Sequence, residues 1–244
     1  MKIVSYKKKK NNLYEIMLSN NSIINLYDDV ILKYELLLKR ELDDKLLEDI
    51  IQDNSNLESY YVALKYVNTK LRTEKEIRKK LNNYSNSSID YTINRLKNEG
   101  YLNEELYIKS YINDEINLKL VGQNKILNDL KKIGFKEIDI LDYLSSIDNE
   151  IFLNKIDKFI NNKINTNHNY SGLILKQKII SNLISKGFNK EDIYLIIDNY
   201  NFSDNIEIYE KEYNKLKNKL SKKYNGKDLE YRIKNSLLKK GFTK

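Results

Sequence analysis

The sequence predicts a mainly α-helical protein: tandem three-helix repeats in an elongated array, preceded by a small N-terminal β-meander with helices. Three observations predict it. There is no proline and there are only seven glycines in 244 residues, so little interrupts long helical stretches. The glycines also keep a beat. With Gly134, Gly187 and Gly241 in register, Ile126, Ile179 and Ile233 stand eight positions before them, and Leu130, Leu183 and Leu237 four before. Lys125, Lys178 and Arg232 stand nine before, and Phe135, Phe188 and Phe242 follow directly. Third, the first 55 or so residues lack this beat and show short β-prone runs instead.

Those runs are 3–6, 13–18 and 23–26, separated by Asn11-Asn12 and by Ser19-Asn20-Asn21-Ser22, and they read as a three-stranded meander. Asp28 and Asp29 are placed to cap a helix over 30–38. Asp43 is placed to cap another that carries Leu46, Leu47, Ile50 and Ile51 on one face.

Helical periodicity follows from residue 57. A repeat opens with a long helix striped at i, i+4, i+7 and i+11: Tyr60, Leu64, Val67 and Leu71 in the first, Tyr209, Tyr213, Leu216 and Leu220 in the last. Phe152, Ile156 and Ile160 are a sparser version. The middle helix carries the Ile and Leu of the register, which share one face at a separation of four. The glycine takes the left-handed conformation that ends it, and the phenylalanine folds back on the apolar face. Ile140 and Leu144, then Ile193 and Ile197, mark the third helix. The first repeat departs from the rest. Its middle helix holds Ile77 and Leu81 and ends at Tyr84-Ser85 without a glycine, and its third runs through Ile89, Ile93 and Leu96. The expected segments are 1–56 for the N-terminal domain, then repeats at 57–103, 104–148, 149–202 and 203–244, the last without its third helix. All seven glycines punctuate these units, which leaves none for a phosphate-binding loop.

Composition narrows the function. Without cysteine there are no disulfides and no thiolate metal sites, which suits a reducing cytosol. No apolar run approaches the length of a membrane span, and lysines interrupt the N-terminus before a signal sequence can form. A soluble, cytoplasmic protein that avoids membranes is expected. The heavy use of Asn, Lys, Ile and Tyr reads as the codon bias of an AT-rich genome, so the Asn-rich stretches read as ordinary loops. The net charge of +8 is uneven. Residues 211–244 hold twelve Lys or Arg against three acids, a balance of +9, and the rest of the chain carries −1. That basic end suits direct contact with DNA through Lys222, Lys223, Lys227 and Arg232. It equally suits a solvated lysine-rich helix.

One combination of motifs points to a family. Arg72-Thr73-Glu74-Lys75-Glu76 opens the middle helix of the first repeat, with Thr73 and Glu76 forming a capping box. Gly100-Tyr101-Leu102-Asn103-Glu104 closes that repeat. Gly122, Ile126 and Leu130 follow at a spacing of four, and Lys186-Gly187-Phe188 comes later. In order and spacing this resembles the RecX family of regulatory proteins. Asp28-Asp29-Val30 with Lys33-Tyr34-Glu35 resembles the N-terminal extension of its longer Gram-positive members, so the resemblance covers nearly the whole chain. Two departures stand out: Asn103-Glu104 where the family often has two aspartates, and a fourth repeat that stops at Phe242.

The resemblance implies a modulator of RecA that binds along the groove of the RecA filament on single-stranded DNA. It would suppress filament growth, ATP hydrolysis, strand exchange and co-protease activity, and so regulate DNA repair, recombination and the SOS response. It implies no enzymatic activity and no cofactor, and a monomer is expected. Candidate filament contacts are Arg72 at a helix entry and Lys125, Lys178 and Arg232, which share one edge of their repeats. Each also fits an ordinary solvated position.

Other readings are weaker. Glu74 and Glu76 are first-turn carboxylates complementing a helix dipole. His168, the single histidine, lies in an Asn-rich loop with no ligand set or triad beside it. The main alternative is a helix-turn-helix transcriptional regulator: Ser88 to Leu96 followed by Gly100-Tyr101-Leu102 looks like a recognition helix. A β-wing should then follow, yet 105–120 reads as helix, and the look recurs about every 50 residues. An enzyme comes third, because no titratable pair converges with a glycine loop or metal set.

Overall fold

The computed structural model describes residues 1–203 and 205–242. The described residues form three strands and twelve helices, so the chain is mainly α with a small N-terminal sheet. Two compact units are present, Met1–Tyr107 and Ile108–Lys244.

In the first unit, β1 (Ile3–Lys8), β2 (Leu13–Leu18) and β3 (Ile23–Tyr27) form an antiparallel meander in the order β1-β2-β3. Asn11 and Asn12 both have positive φ, 59° and 57°, which is what the two central residues of a type I′ hairpin require and asparagine tolerates. Ile3, Ile16, Leu18 and Leu26 turn one face of the sheet onto Val30, Ile31, Leu36, Leu42 and Ile50.

The helix expected over 30–38 is shorter and starts earlier: α1 covers Asp28–Lys33, with Tyr27 at the N-cap and no side-chain cap. Asp28 and Asp29 lie in its first turn. The chain leaves the helix because Glu35 turns left-handed (φ 52°). The Leu36 amide can then reach the Ile31 carbonyl at 3.0 Å, and Leu36 is buried. Leu37 and Leu38 are left exposed. Asp43 does cap the next helix, accepting from the Leu46 amide at 2.7 Å. On that helix Ile50 is buried and Leu46 and Leu47 are half-buried, but Ile51 faces solvent.

This helix, α2 (Asp44–Val67), runs 24 residues without a break, through positions 56 and 57. Its far half packs Tyr60, Ala63 and Val67 against α3 (Glu74–Lys80) and α4 (Asn86–Asn98), where Ile77, Leu81, Ile89, Ile93, Leu96 and Leu102 complete the core. Leu71 lies beyond the helix end, so the stripe is one member shorter than the periodicity suggests. Ser59 and Thr92 share a hydrogen bond at 2.8 Å where α2 crosses α4; both are buried, and their small side chains admit the close crossing.

The helix α5 (Glu104–Leu118) carries the chain into the second unit. There follow α6 (Gln123–Ile133), α7 (Glu137–Ser145), α8 (Glu150–Asn165), α9 (Gly172–Ser185), α10 (Lys190–Ile197), α11 (Ile206–Leu220) and α12 (Gly226–Leu238). The register residues are where periodicity puts them: Ile126, Leu130, Ile179, Leu183, Ile233 and Leu237 are all buried. Gly134, Gly187 and Gly241 have φ of 121°, 83° and 88°, and the following amides of Phe135, Phe188 and Phe242 return to Leu130, Leu183 and Leu237. Phe188 and Phe242 are buried; Phe135 is half-buried. On α11 the tyrosine and leucine stripe is half-buried, and the fully buried residue is an acid, Glu212.

Candidate partner-binding surface

Every helix leaves backbone amides unpaired at its N-terminus and carbonyls unpaired at its C-terminus. The middle helices of the second unit pair these ends with one another. Gly122, at the N-cap of α6, donates its amide to the Lys186 carbonyl at 2.9 Å, and Asn124 donates to Gly187 at 3.0 Å. Lys186 and Gly187 end α9, so the start of α6 sits on the end of α9. One repeat further, Ser171 at the N-cap of α9 donates to the Lys240 carbonyl at 3.0 Å, at the end of α12. The order α12, α9, α6 is therefore a head-to-tail series of docked helix ends.

Such docking needs bare backbone. A Cβ on Gly122 would stand 2.2 Å from the Phe188 nitrogen, and one on Gly187 would stand 2.4 Å from the Lys125 Cβ. At the second joint a Cβ on Gly241 would meet the Ser171 hydroxyl at 2.2 Å; beside it, one on Gly172 would meet the carbonyl of Phe202, in the segment before α11, at 1.8 Å. Side chains finish the first joint: Gln123 donates to Asn149 at 3.0 Å, Asn149 to Asp192 at 3.2 Å, and Asn124 to Asn189 at 2.8 Å. Lys155 on α8 plays a similar part for α5, donating to the carbonyls of Ile116 and of Lys119 at the helix end. Burial among these groups pushes its ammonium below the usual lysine range. Periodicity marks Gly187 and Gly241 only as helix stops. Their second role depends on residues of another repeat, and its only sequence trace is the small residue at each matching N-cap, Gly122 and Ser171.

Lys125, Lys178 and Arg232 fall on the three helices of this series, Lys125 in the first turn of α6 and the other two midway along α9 and α12, and all are exposed. Each is held locally. Lys125 pairs with Asp129 at 3.3 Å, and Lys178 lies over the Tyr170 ring at 4.6 Å. Arg232 stacks on Tyr224 at 3.8 Å and pairs with Asp228 at 3.1 Å.

Arg72, in the first unit, is more enclosed than a helix-entry arginine: its side chain is 13% exposed. The guanidinium lies 3.7 Å from the centre of the Tyr66 ring and pairs with Glu76 at 3.3 Å, while its buried Nε has no partner. Burial pushes the Glu76 carboxyl up, but the Thr73 amide at 2.9 Å and Arg72 outweigh it and hold Glu76 below its ordinary value. The capping box read from the sequence is present in full. Arg95 repeats the arrangement, 3.8 Å over Tyr60 and paired with Glu99 at 2.9 Å. Arginine stacked on tyrosine and paired with an acid four positions away in sequence thus occurs at Arg72, Arg95 and Arg232. Lys222, Lys223 and Lys227 are exposed around the turn from α11 to α12.

Among the described residues no group of three His, Cys, Asp or Glu side chains could hold a metal ion, and no helix is long and apolar enough to cross a membrane.

No family model matches this chain. Sequence relatives are nonetheless extensive. The chain is 30% identical to the regulatory protein RecX of Streptococcus agalactiae (strain NEM316) over 253 aligned residues, covering 99% of this chain and 95% of the relative. It is 27% identical to regulatory protein RecX of Leuconostoc mesenteroides, covering 96% and 90%. A crystal structure of regulatory protein RecX superposes with a TM-score of 0.71 at 24% identity, over 81% of this chain and all of that one. The crystal structure of RecX from Lactobacillus salivarius gives 0.57 at 26% identity, over 60% and 97%.

Proposed function

This chain belongs to the RecX family of regulatory proteins, and we propose that it binds the RecA filament on single-stranded DNA and restrains its activities. In this reading the protein acts as a monomer in the cytoplasm and lowers the ATPase, strand-exchange and co-protease activities of the filament, so regulating repair and recombination. It hydrolyses nothing itself.

The observation that carries the reading is the docked series α12, α9, α6. Repeated modules coupled end to end present the same residue positions at successive steps, which suits a partner that is itself a repeating polymer. Lys125, Lys178 and Arg232 occupy matching steps and are the proposed filament contacts of the second unit; Arg72 is that of the first. Repeats at 57–103, 104–148, 149–202 and 203–244 are the proposed modules. Direct DNA contact falls to Lys222, Lys223, Lys227 and Arg232 in the basic end.

A helix-turn-helix repressor is not favoured. The segment that should form its β-wing is the 15-residue helix α5. The test is the DNA-dependent ATPase of RecA from the same organism, titrated with this protein. Substoichiometric inhibition with co-sedimentation on filaments is expected. An unchanged ATPase without co-sedimentation overturns the reading.

A further inference from the structure

Of the three matching cations in the docked series, Lys178 has different surroundings. Lys125 has Asp129 four residues along and Arg232 has Asp228 four residues back, so both charges are neutralised locally. The residues four away from Lys178 are Ile174 and Asn182. Its ammonium meets the face of the Tyr170 ring and no carboxylate among the described residues. Lys178 lines a cavity of about 240 Å³ together with Lys163 at the end of α8, His168 and Asn169 of the following loop, and Asn182 on α9. Buried Leu175 and Ile179 form its apolar side, and no Asp or Glu lines it.

The loop is shaped from within. The Asn167 side chain accepts from the Tyr170 amide at 3.2 Å and donates to the Tyr170 carbonyl at 2.8 Å, so it is spent on the turn that carries His168 and Asn169. The other polar side chains keep their donors free. Lys163 lies over the Phe159 ring at 5.4 Å, and among the described residues the side chains of Lys163, His168, Asn169, Lys178 and Asn182 make no hydrogen bond or ion pair. Donors with two full positive charges thus converge from α8, the loop and α9 on one concave space. A concavity lined by one sign of charge concentrates counter-ions, and an ammonium donates most strongly to an anionic oxygen. Donors arriving from three directions suit a tetrahedral oxyanion better than a planar carboxylate.

We propose that the cavity between the end of α8, the loop 166–170 and α9 binds a phosphate group. Lys163 and Lys178 hold it from opposite elements, and His168 and Asn182 donate beside them. The group is either free phosphate or part of a nucleic-acid strand, which share the same oxyanion chemistry. In the second case the contact proposed above for Lys178 is made with the strand inside the filament. The cavity stands without the RecA reading, because its test contains no recombinase.

The chain has a single histidine, so the ring protons of His168 give one assigned nuclear magnetic resonance signal inside the cavity. The full chain is titrated at fixed pH with inorganic phosphate, with hexathymidylate, and with sodium chloride at matched ionic strength. A saturable shift with phosphate is expected, and none with chloride. Lys163→Gln and Lys178→Gln should each weaken it threefold or more, and the double variant tenfold or more. Lys158→Gln, which removes the same charge from α8 outside the cavity, should leave it unchanged. All three lysines are exposed, so the variants keep the fold, which circular dichroism checks. Saturation by hexathymidylate at lower concentration per phosphate assigns the group to a strand, and saturation by inorganic phosphate alone assigns it to free phosphate. Four results overturn the proposal: no saturation up to about 50 mM phosphate, an equal shift with chloride, no response to the Lys163 and Lys178 variants, or an equal loss with Lys158→Gln.

Discussion

Gly122 and Lys186 belong to different repeats, yet the amide of one donates to the carbonyl of the other at 2.9 Å, which seats the first turn of α6 on the last turn of α9. Gly122 has φ of −99°, a value any residue adopts, so its glycine answers to space and not to backbone conformation. Gly122→Ala should therefore destabilise the second unit through overpacking alone, by about 1–3 kcal/mol. Urea denaturation followed by circular dichroism measures it. A variant as stable as the parent would mean the joint opens at no cost.

Leu183 is fully buried on the same helix that supplies Lys186 and Gly187. Leu183→Ala should cost about 2–5 kcal/mol, the range for a leucine truncated in a packed core. Thermal melts of parent and variant decide this, and coincident curves would displace the repeat register.

Arg72→Ala should lower the stability of the first unit by about 1–2 kcal/mol, through loss of the Tyr66 stack and of the packing of a nearly enclosed side chain. Chemical denaturation gives the value. An undiminished stability would return Arg72 to the class of free surface residues.

Glu212 is 2% exposed between Lys240 and Lys215. Burial pushes its carboxyl up, but hydrogen bonds from Lys240 and Lys215 prevail and hold it below its ordinary value of 4.5. A carboxyl lowered by folding stabilises the fold fully above its unfolded value and loses that contribution as pH falls through the folded one. The packing of α11 on α12 should thus weaken below about pH 4.5, and Glu212→Gln should remove that acid sensitivity. Near-ultraviolet dichroism of the tyrosines across pH 3–7 would show the transition, and an identical acid profile in the variant would refute the assignment.

Replacing Lys222, Lys223, Lys227 and Arg232 together by alanine should weaken binding to single-stranded DNA. It should flatten the salt dependence by up to about 3 in the log–log slope, if all four meet phosphate. The three lysines contribute little to stability. Arg232 gives up its place over Tyr224, so a modest loss is expected there. Unaltered affinity and slope would leave the basic end as solvated surface.

Much of the fold was legible because local rules govern it. Two asparagines made the first hairpin, Asp43 capped α2, Thr73 and Glu76 formed their box, and glycine with a following aromatic ended α6, α9 and α12. What escaped reading depends on residues far apart in the chain. The early end of α1 follows from burying Leu36 under the sheet. The enclosure of Arg72 follows from the path of the chain between Tyr66 and Glu76. The docked helix ends are backbone contacts between repeats, traced in the sequence only by the small N-cap residues Gly122 and Ser171. Candidate contacts were legible only as recurring charges, and the acidic ties that hold Lys125 and Arg232 in place were not.

The docked helix ends also bear on how far a sequence like this can diverge. Each joint asks for a small residue at one or two positions, and its backbone bonds use amides and carbonyls that are common to every residue. Mutational pressure toward asparagine, lysine, isoleucine and tyrosine can rewrite the outer faces of α6, α9 and α12 without touching the coupling. Relatives retaining under a third of their residues can on this basis keep the same stacking order, provided glycine or serine persists where one helix begins on another.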